Sequence, residues 1–290
     1  MRAVSTVLDA ALFLLLVSAA VLTLAGPATP PQVADNHAGE AAGVLATTTA
    51  QVNYSLTPDP DSLPATDDSP NGSGFERTAH GSLAALLGDA AVATVRVDGA
   101  RVTHTGDGFA AAVRTAVLDA LGRPTVETQV VARWEPYPGA PVSGRVTAGP
   151  TPPPDAAVQA ATLTVPSGAS RPWAEAEAPP PTSFDGLARA LADATLERLF
   201  PLDATRRALG RDHPVDALVR HRYGRFARLL GERLGGGIHH DGLRATTRRM
   251  EQALADRYES DLRDRFETVR EARESLGVET VHIAVRRWEP

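Results

Sequence analysis

Residues 4–25 form one near-continuous apolar stretch, Val4 to Ala25, placed directly behind Met1-Arg2-Ala3. At about 1.5 Å of rise per residue, a helix of this length just crosses a hydrocarbon core of ~30 Å. Asp9 is its only ionisable residue, and it sits close enough to the start to reach the interface. The stretch admits three readings: a cleaved secretory signal, a permanent anchor, or the core helix of a filament subunit. With Arg2 alone on the short side, the basic-residue bias puts the N-terminus in the cytoplasm and the body outside. The expected localisation is therefore a single-pass cell-membrane protein with an extracellular body, touching the membrane through residues 4–25.

Composition limits what that body can do. The chain has no cysteine, which excludes disulfides, thiolate metal sites and thiol nucleophiles. All 29 basic residues are arginine, against 35 acids, for a net charge of −6. Without a basic surplus, nucleic acid is not an expected partner. Charge is unevenly spread: residues 1–180 carry 9 arginines and 17 acids, residues 181–290 carry 20 and 18. Two segments of different character follow from this.

Residues 26–77 read as a stalk rich in Pro, Ser, Thr and Asp, with too little apolar surface to offset chain entropy. Within it, residues 39–57 are less polar and suit a short helix and strand. Two sequons, Asn53-Tyr-Ser and Asn71-Gly-Ser, are candidate N-glycosylation sites on an external chain. An α+β region is expected over 78–178. It starts with a short helix at 82–87 closed by Gly88, then a hairpin turning at Asp98-Gly99. A helix follows from Asp107, with Phe109, Val113, Val117 and Leu121 on one face, and then a strand over 126–134. Strands are also expected at 142–147 and 158–165. From residue 179 to 290 the chain reads as helical, ending in a strand that returns to the sheet.

A partial internal repeat supports that return. Arg133-Trp-Glu-Pro136 and Arg287-Trp-Glu-Pro290 are identical, and each follows a Leu-Gly and a Val-Glu-Thr. Strands that end with a packed tryptophan and a ladder-stopping proline account for the four residues without a ligand. The expected fold is α+β: a single N-terminal transmembrane helix, a mixed-sheet ectodomain with helices on one side, and a helical C-terminal half.

Catalytic signatures are thin. Gly-x-Ser-x-Gly, His-Glu-x-x-His, a lysine phosphate loop and the dinucleotide fingerprint are all missing from the sequence. His239-His240-Asp241, with His213 and His221 upstream, has no diagnostic metal spacing and reads as a surface turn. Thr105-Gly-Asp-Gly108 lacks the oxygen pattern of a calcium loop. No catalytic, cofactor or metal residue is assigned, and the protein is expected not to be an enzyme.

Arg2-Ala3-Val4-Ser5-Thr6-Val7-Leu8 resembles the start of haloarchaeal type IV pilins and archaellins. The resemblance implies cleavage between Ala3 and Val4, after a leader of residues 1–3, and pairing of Asp9 with a neighbour's free amine in an assembly. Residues 133–139 and 161–168 extend the resemblance to an uncharacterised haloarchaeal family of membrane-anchored proteins found beside type IV pilus-like or secretion loci. What this implies is a non-enzymatic minor pilin-like or accessory component, partnered by pilus or secretion proteins. A tethered extracellular ligand-binding module is the alternative, and an exported hydrolase the third reading. Oligomeric state is left open.

Overall fold

The computed structural model describes residues 37–56, 75–122, 126–172, 180–211, 215–233 and 242–289. The elements are α1 (His37–Thr47), β1 (Thr49–Ser55), β2 (Glu76–Ser82), α2 (Leu83–Ala93), β3 (Arg96–Val97), β4 (Ala100–Arg101) and α3 (Asp107–Leu121). They continue with β5 (Glu127–Trp134), β6 (Val142–Ala148), β7 (Gln159–Pro166), α4 (Phe184–Leu199), α5 (Leu202–Leu209), α6 (Val215–Leu229), α7 (Leu243–Arg265), α8 (Val269–Glu274) and β8 (Thr280–Trp288). Residues from His37 onward belong to one compact unit.

Six strands form one sheet in the order β4-β3-β6-β5-β8-β7, and β1 pairs with β2 separately. Alternation divides β5, β6 and β8 into two faces. Val130, Ala132 and Trp134 of β5, with Val281, Ile283 and Val285 of β8, point into the hydrophobic core. The helix α2 lies across this inner face, and its Gly88 is what lets it come close. A Cβ there would stand 2.9 Å from Val165 Cγ2. Gly88 therefore does not stop the helix, as local reading of Leu-Gly suggested; α2 continues to Ala93 because burial on the sheet outweighs the glycine penalty. Ser82 caps its start, accepting from the Ala85 backbone N–H at 3.2 Å.

The turn at Asp98-Gly99 has both residues at positive φ, 47° and 76°, as a tight hairpin between two-residue strands requires. In α3 the buried residues are Phe109, Ala110, Val113 and Val117, and Gly122 ends the helix at φ 72°. The two long helices α4 and α7 pack along each other, joined by a contact of Thr195 Oγ1 with Tyr258 Oη at 3.2 Å.

Two parts of the expected architecture are corrected. Among the described residues no helix is long and apolar enough to cross a membrane. The longest, α7, has 23 residues but is densely charged along its exposed side. The apolar stretch at 4–25, with Ala3, Val4 and Asp9, lies outside the described residues. The sheet is also not mixed, since every strand pair is antiparallel. A short loop turns β5 back as β6, and β8 enters between β5 and β7 running against both. The stretch assigned to a stalk holds α1 and β1 as well, and Ala41, Leu45 and Val52 contribute to the core. Tyr54 packs against Phe109 with ring centroids 4.9 Å apart and planes tilted by 48°, which ties β1 to α3.

Candidate functional site

The outer face of the sheet is where polar chemistry collects. Alternation sends His282 and Arg286 of β8 outward, along with Arg133 of β5, Arg145 of β6, and Thr162 and Thr164 of β7. Strand register then aligns them. Thr164 is opposite His282, His282 opposite Arg133, and Arg133 opposite Arg145, forming one row across four strands. A second row runs Thr162, Ala284, Val131, Thr147, and a third brings Arg286 between Ala160 and Gln129. At about 4.8 Å per strand, the first row spans roughly 15 Å.

These side chains line a shallow depression of about 560 Å³ whose walls include Arg133, Arg145, His282 and Arg286 and no carboxylate. Arg133 has an acid beside it: its Nη2 donates to Glu135 Oε2 at 2.6 Å. Arg286 donates from Nη1 to Gln129 Oε1 at 3.4 Å, a neutral partner. Arg145 has no carboxylate partner among the described residues. Directly opposed like charges destabilise a sheet, by about 0.2–1 kcal/mol per pair. The Arg133–Arg145 pair is thus a local cost, on a chain that is acidic overall.

The repeated Arg-Trp-Glu-Pro motifs land on neighbouring strands but face oppositely. Trp134 points inward, fully buried, and its Nε1 donates to the Val278 carbonyl oxygen at 2.8 Å. Trp288 points to the other side, outside the core cluster, though only 4% exposed. The arginines swap roles accordingly. Arg133 faces solvent. Arg287 is buried, donating from Nε to Thr128 Oγ1 at 3.1 Å and from Nη1 to the His37 carbonyl at 3.2 Å. Glu135 accepts from Arg133 and from the Gly139 N–H, so it shapes the β5–β6 loop. Pro136 presents its carbonyl to the Gly277 N–H at 2.9 Å, Glu289 is exposed beyond β8, and Pro290 lies outside the described residues.

Other residues singled out in the sequence fall elsewhere. Asn53 is exposed on β1, where its Oδ1 accepts from Thr78 Oγ1 at 2.9 Å. Asn71, His213, His239, His240 and Asp241 lie outside the described residues. Asp107, the acid of the imagined calcium loop, is engaged by Arg101 and by His104 Nδ1 at 2.9 Å. Among the described residues no group of three or more His, Asp or Glu is arranged to hold a metal.

A second polar locus sits between α2, α4 and the end of β7. Arg198 donates to the Ser167 carbonyl and pairs with Asp89 at 3.0 Å. Burial raises the Asp89 carboxyl against the opposing pull of Arg198. Arg222 lies over the Phe200 ring at 5.4 Å, and burial, with Arg198 nearby, lowers its pKa to about 10. This locus braces α4 against α2 and the end of β7.

The basic row was missed in the sequence because alternation shows which residues of a strand share a face but not which strand lies next to it. The alternating Val-x-Gly-Arg-Val-Thr of β6 and Val-His-Ile-Ala-Val-Arg of β8 marked the outward positions; their juxtaposition needed the register. No curated protein and no solved structure matches the chain. A family model does, over residues 8–288, and the chain belongs to that family, a family of unknown function designated DUF7284.

Proposed function

We propose that this protein is a non-enzymatic accessory component of a cell-surface assembly of the type IV pilus-like or secretion kind. It works by presenting its open sheet face to an acidic partner. The observation that carries this reading is Arg145, which has no carboxylate partner among the described residues although it sits in a basic row. Arg145 stands directly opposite Arg133 and lines the same depression as Arg286 and His282, with the hydroxyls of Thr162 and Thr164 at its β7 side and no carboxylate in its lining. A sheet face that keeps a destabilising like-charge pair is expected where something outside the chain supplies the opposite charge. Guanidinium groups suit that task, because their planar fork holds carboxylates by paired, short-range hydrogen bonds. The resemblance to haloarchaeal pilus-associated proteins supports placing the body outside the cell.

The test is affinity recovery of the full chain from its native cells, after mild cross-linking, beside the double variant Arg145→Glu/Arg286→Glu. Recovery of pilus or secretion components by the wild-type chain, lost in the double variant, supports the proposal. Equal recovery by both overturns the role of the face. Intact surface filaments and unchanged secretion in a deletion strain overturn the assembly role.

A further inference from the structure

The strand β7 is the last of the six-stranded sheet, and its outer edge is unpaired. Which of its backbone groups are free follows from the register. The Ser167 N–H donates to the Glu279 carbonyl at 2.8 Å, one step beyond the Pro166–Thr280 pair. Antiparallel ladders bond every second residue, so Val165, Leu163, Ala161 and Gln159 turn their amides and carbonyls toward β8. Ala160, Thr162 and Thr164 turn theirs away, and among the described residues nothing pairs with them. Pro166, on the same outward set, has no N–H to leave exposed, the usual position for an edge proline.

Edges of this length are normally blunted by a charge, a bulge or a covering segment. Here the register to β8 runs unbroken for eight residues, and the strand Gln-Ala-Ala-Thr-Leu-Thr-Val-Pro carries no charge at all. Val158, just before it, is 41% exposed, one of two large apolar side chains to stand out so far among the described residues.

We infer that β7 pairs with the β7 of a second copy of this chain, antiparallel about a two-fold axis at Thr162, joining two sheets into one. The strand is self-complementary in that arrangement. Thr162 meets Thr162 of the second copy, Ala160 meets Thr164, and the three residues that face outward supply six main-chain hydrogen bonds. Val158 falls opposite Pro166, apolar against apolar. An uncharged edge that sets apolar Val158 against Pro166 fits its own copy better than it fits an acidic strand. The arginines of the face row, on β5 and β6, lie away from such a seam, while Thr162 and Thr164 border both the seam and the depression.

The natural absence of cysteine makes the geometry testable. In a hydrogen-bonded antiparallel pair, opposed Cα atoms lie about 5.5 Å apart, within disulfide range. The full chain would be purified and its mass measured by light scattering and sedimentation. The expected results are a dimer for the wild type and a monomer for Thr162→Pro, whose lost N–H faces away from β8 and so spares the fold, as circular dichroism would verify. Thr162→Cys, under mild oxidation, is expected to give a covalent dimer, and Ala160→Cys far less. A wild-type chain that stays monomeric across concentration overturns the inference, and so does a dimer that survives Thr162→Pro.

Discussion

The indole of Trp134 and the carbonyl of Val278, 144 residues apart, are joined by a 2.8 Å hydrogen bond at the centre of the core. Ser167 Oγ donates to the same oxygen at 2.7 Å. One carbonyl thus holds three segments together: β5, the end of β7 and the approach to β8.

Because that oxygen has two donors, single deletions leave it satisfied. Trp134→Phe is expected to cost about 1–2 kcal/mol, mostly lost packing, and Ser167→Ala about 1 kcal/mol. The double variant leaves a buried carbonyl without a partner, so it should cost about 1 kcal/mol more than the sum. Urea titration of the four proteins in the cycle measures the coupling; strict additivity would show that the shared acceptor does not matter.

Two glycines predict opposite responses to alanine. At Gly144 a Cβ would overlap the Ala91 carbonyl oxygen, where α2 crosses β6. Gly144→Ala is expected to destabilise by about 2–3 kcal/mol. Gly43, inside α1, has nothing within 4 Å of the new methyl. Gly43→Ala should stabilise by about 0.5–1 kcal/mol through helix propensity. Thermal melts of both variants give the two signs.

Alkaline pH should unfold the protein through its tyrosines. Tyr137, Tyr223 and Tyr258 are buried, and burial first of all raises each phenol above the ordinary value of 10.0. Above pH 10 the unfolded chain releases these protons while the native chain keeps them. The native state then binds more protons, so stability falls as pH rises, by up to about 1.4 kcal/mol per phenol per pH unit. Arg222, lowered to about 10, acts in the opposite direction, but one guanidinium faces three phenols. Phenolate absorbance is expected to rise together with loss of near-ultraviolet circular dichroism; gradual ionisation in a folded protein would contradict it.

On the open face, stability and function should diverge. Arg145→Thr removes the charge opposed to Arg133 and places a β-branched residue on a strand. It is expected to raise stability by about 0.5 kcal/mol, read from denaturant midpoints, while weakening partner recovery. Loss of stability in this variant would mean that Arg145 supports the fold.

Local sequence was enough for several elements, each for a reason confined to a few residues. Asp98-Gly99 tolerates the positive φ of a tight turn, and the spacing of Phe109, Val113 and Val117 buries one side of a helix that Gly122 ends. It failed where the deciding contact was distant. Leu87-Gly88 reads locally like Leu121-Gly122, yet Gly88 sits mid-helix because Val165 presses against it. The expected mixed sheet is antiparallel because β8 slots between β5 and β7, a pairing that spans most of the chain.

The sequence by itself determined a cysteine-free, lysine-free α+β body whose strands alternate between an apolar and a polar side. Only the tertiary structure decided what each side became. Identical Arg-Trp-Glu-Pro motifs diverged, Trp134 into the core and Trp288 away from it, because antiparallel neighbours place even positions of β5 and odd positions of β8 on the same face. The same register lined up Arg145 and Arg133 with His282, which is far from both in the chain. Alternation is a property of one strand, whereas a polar row across four strands exists only once burial of the opposite face has set their register.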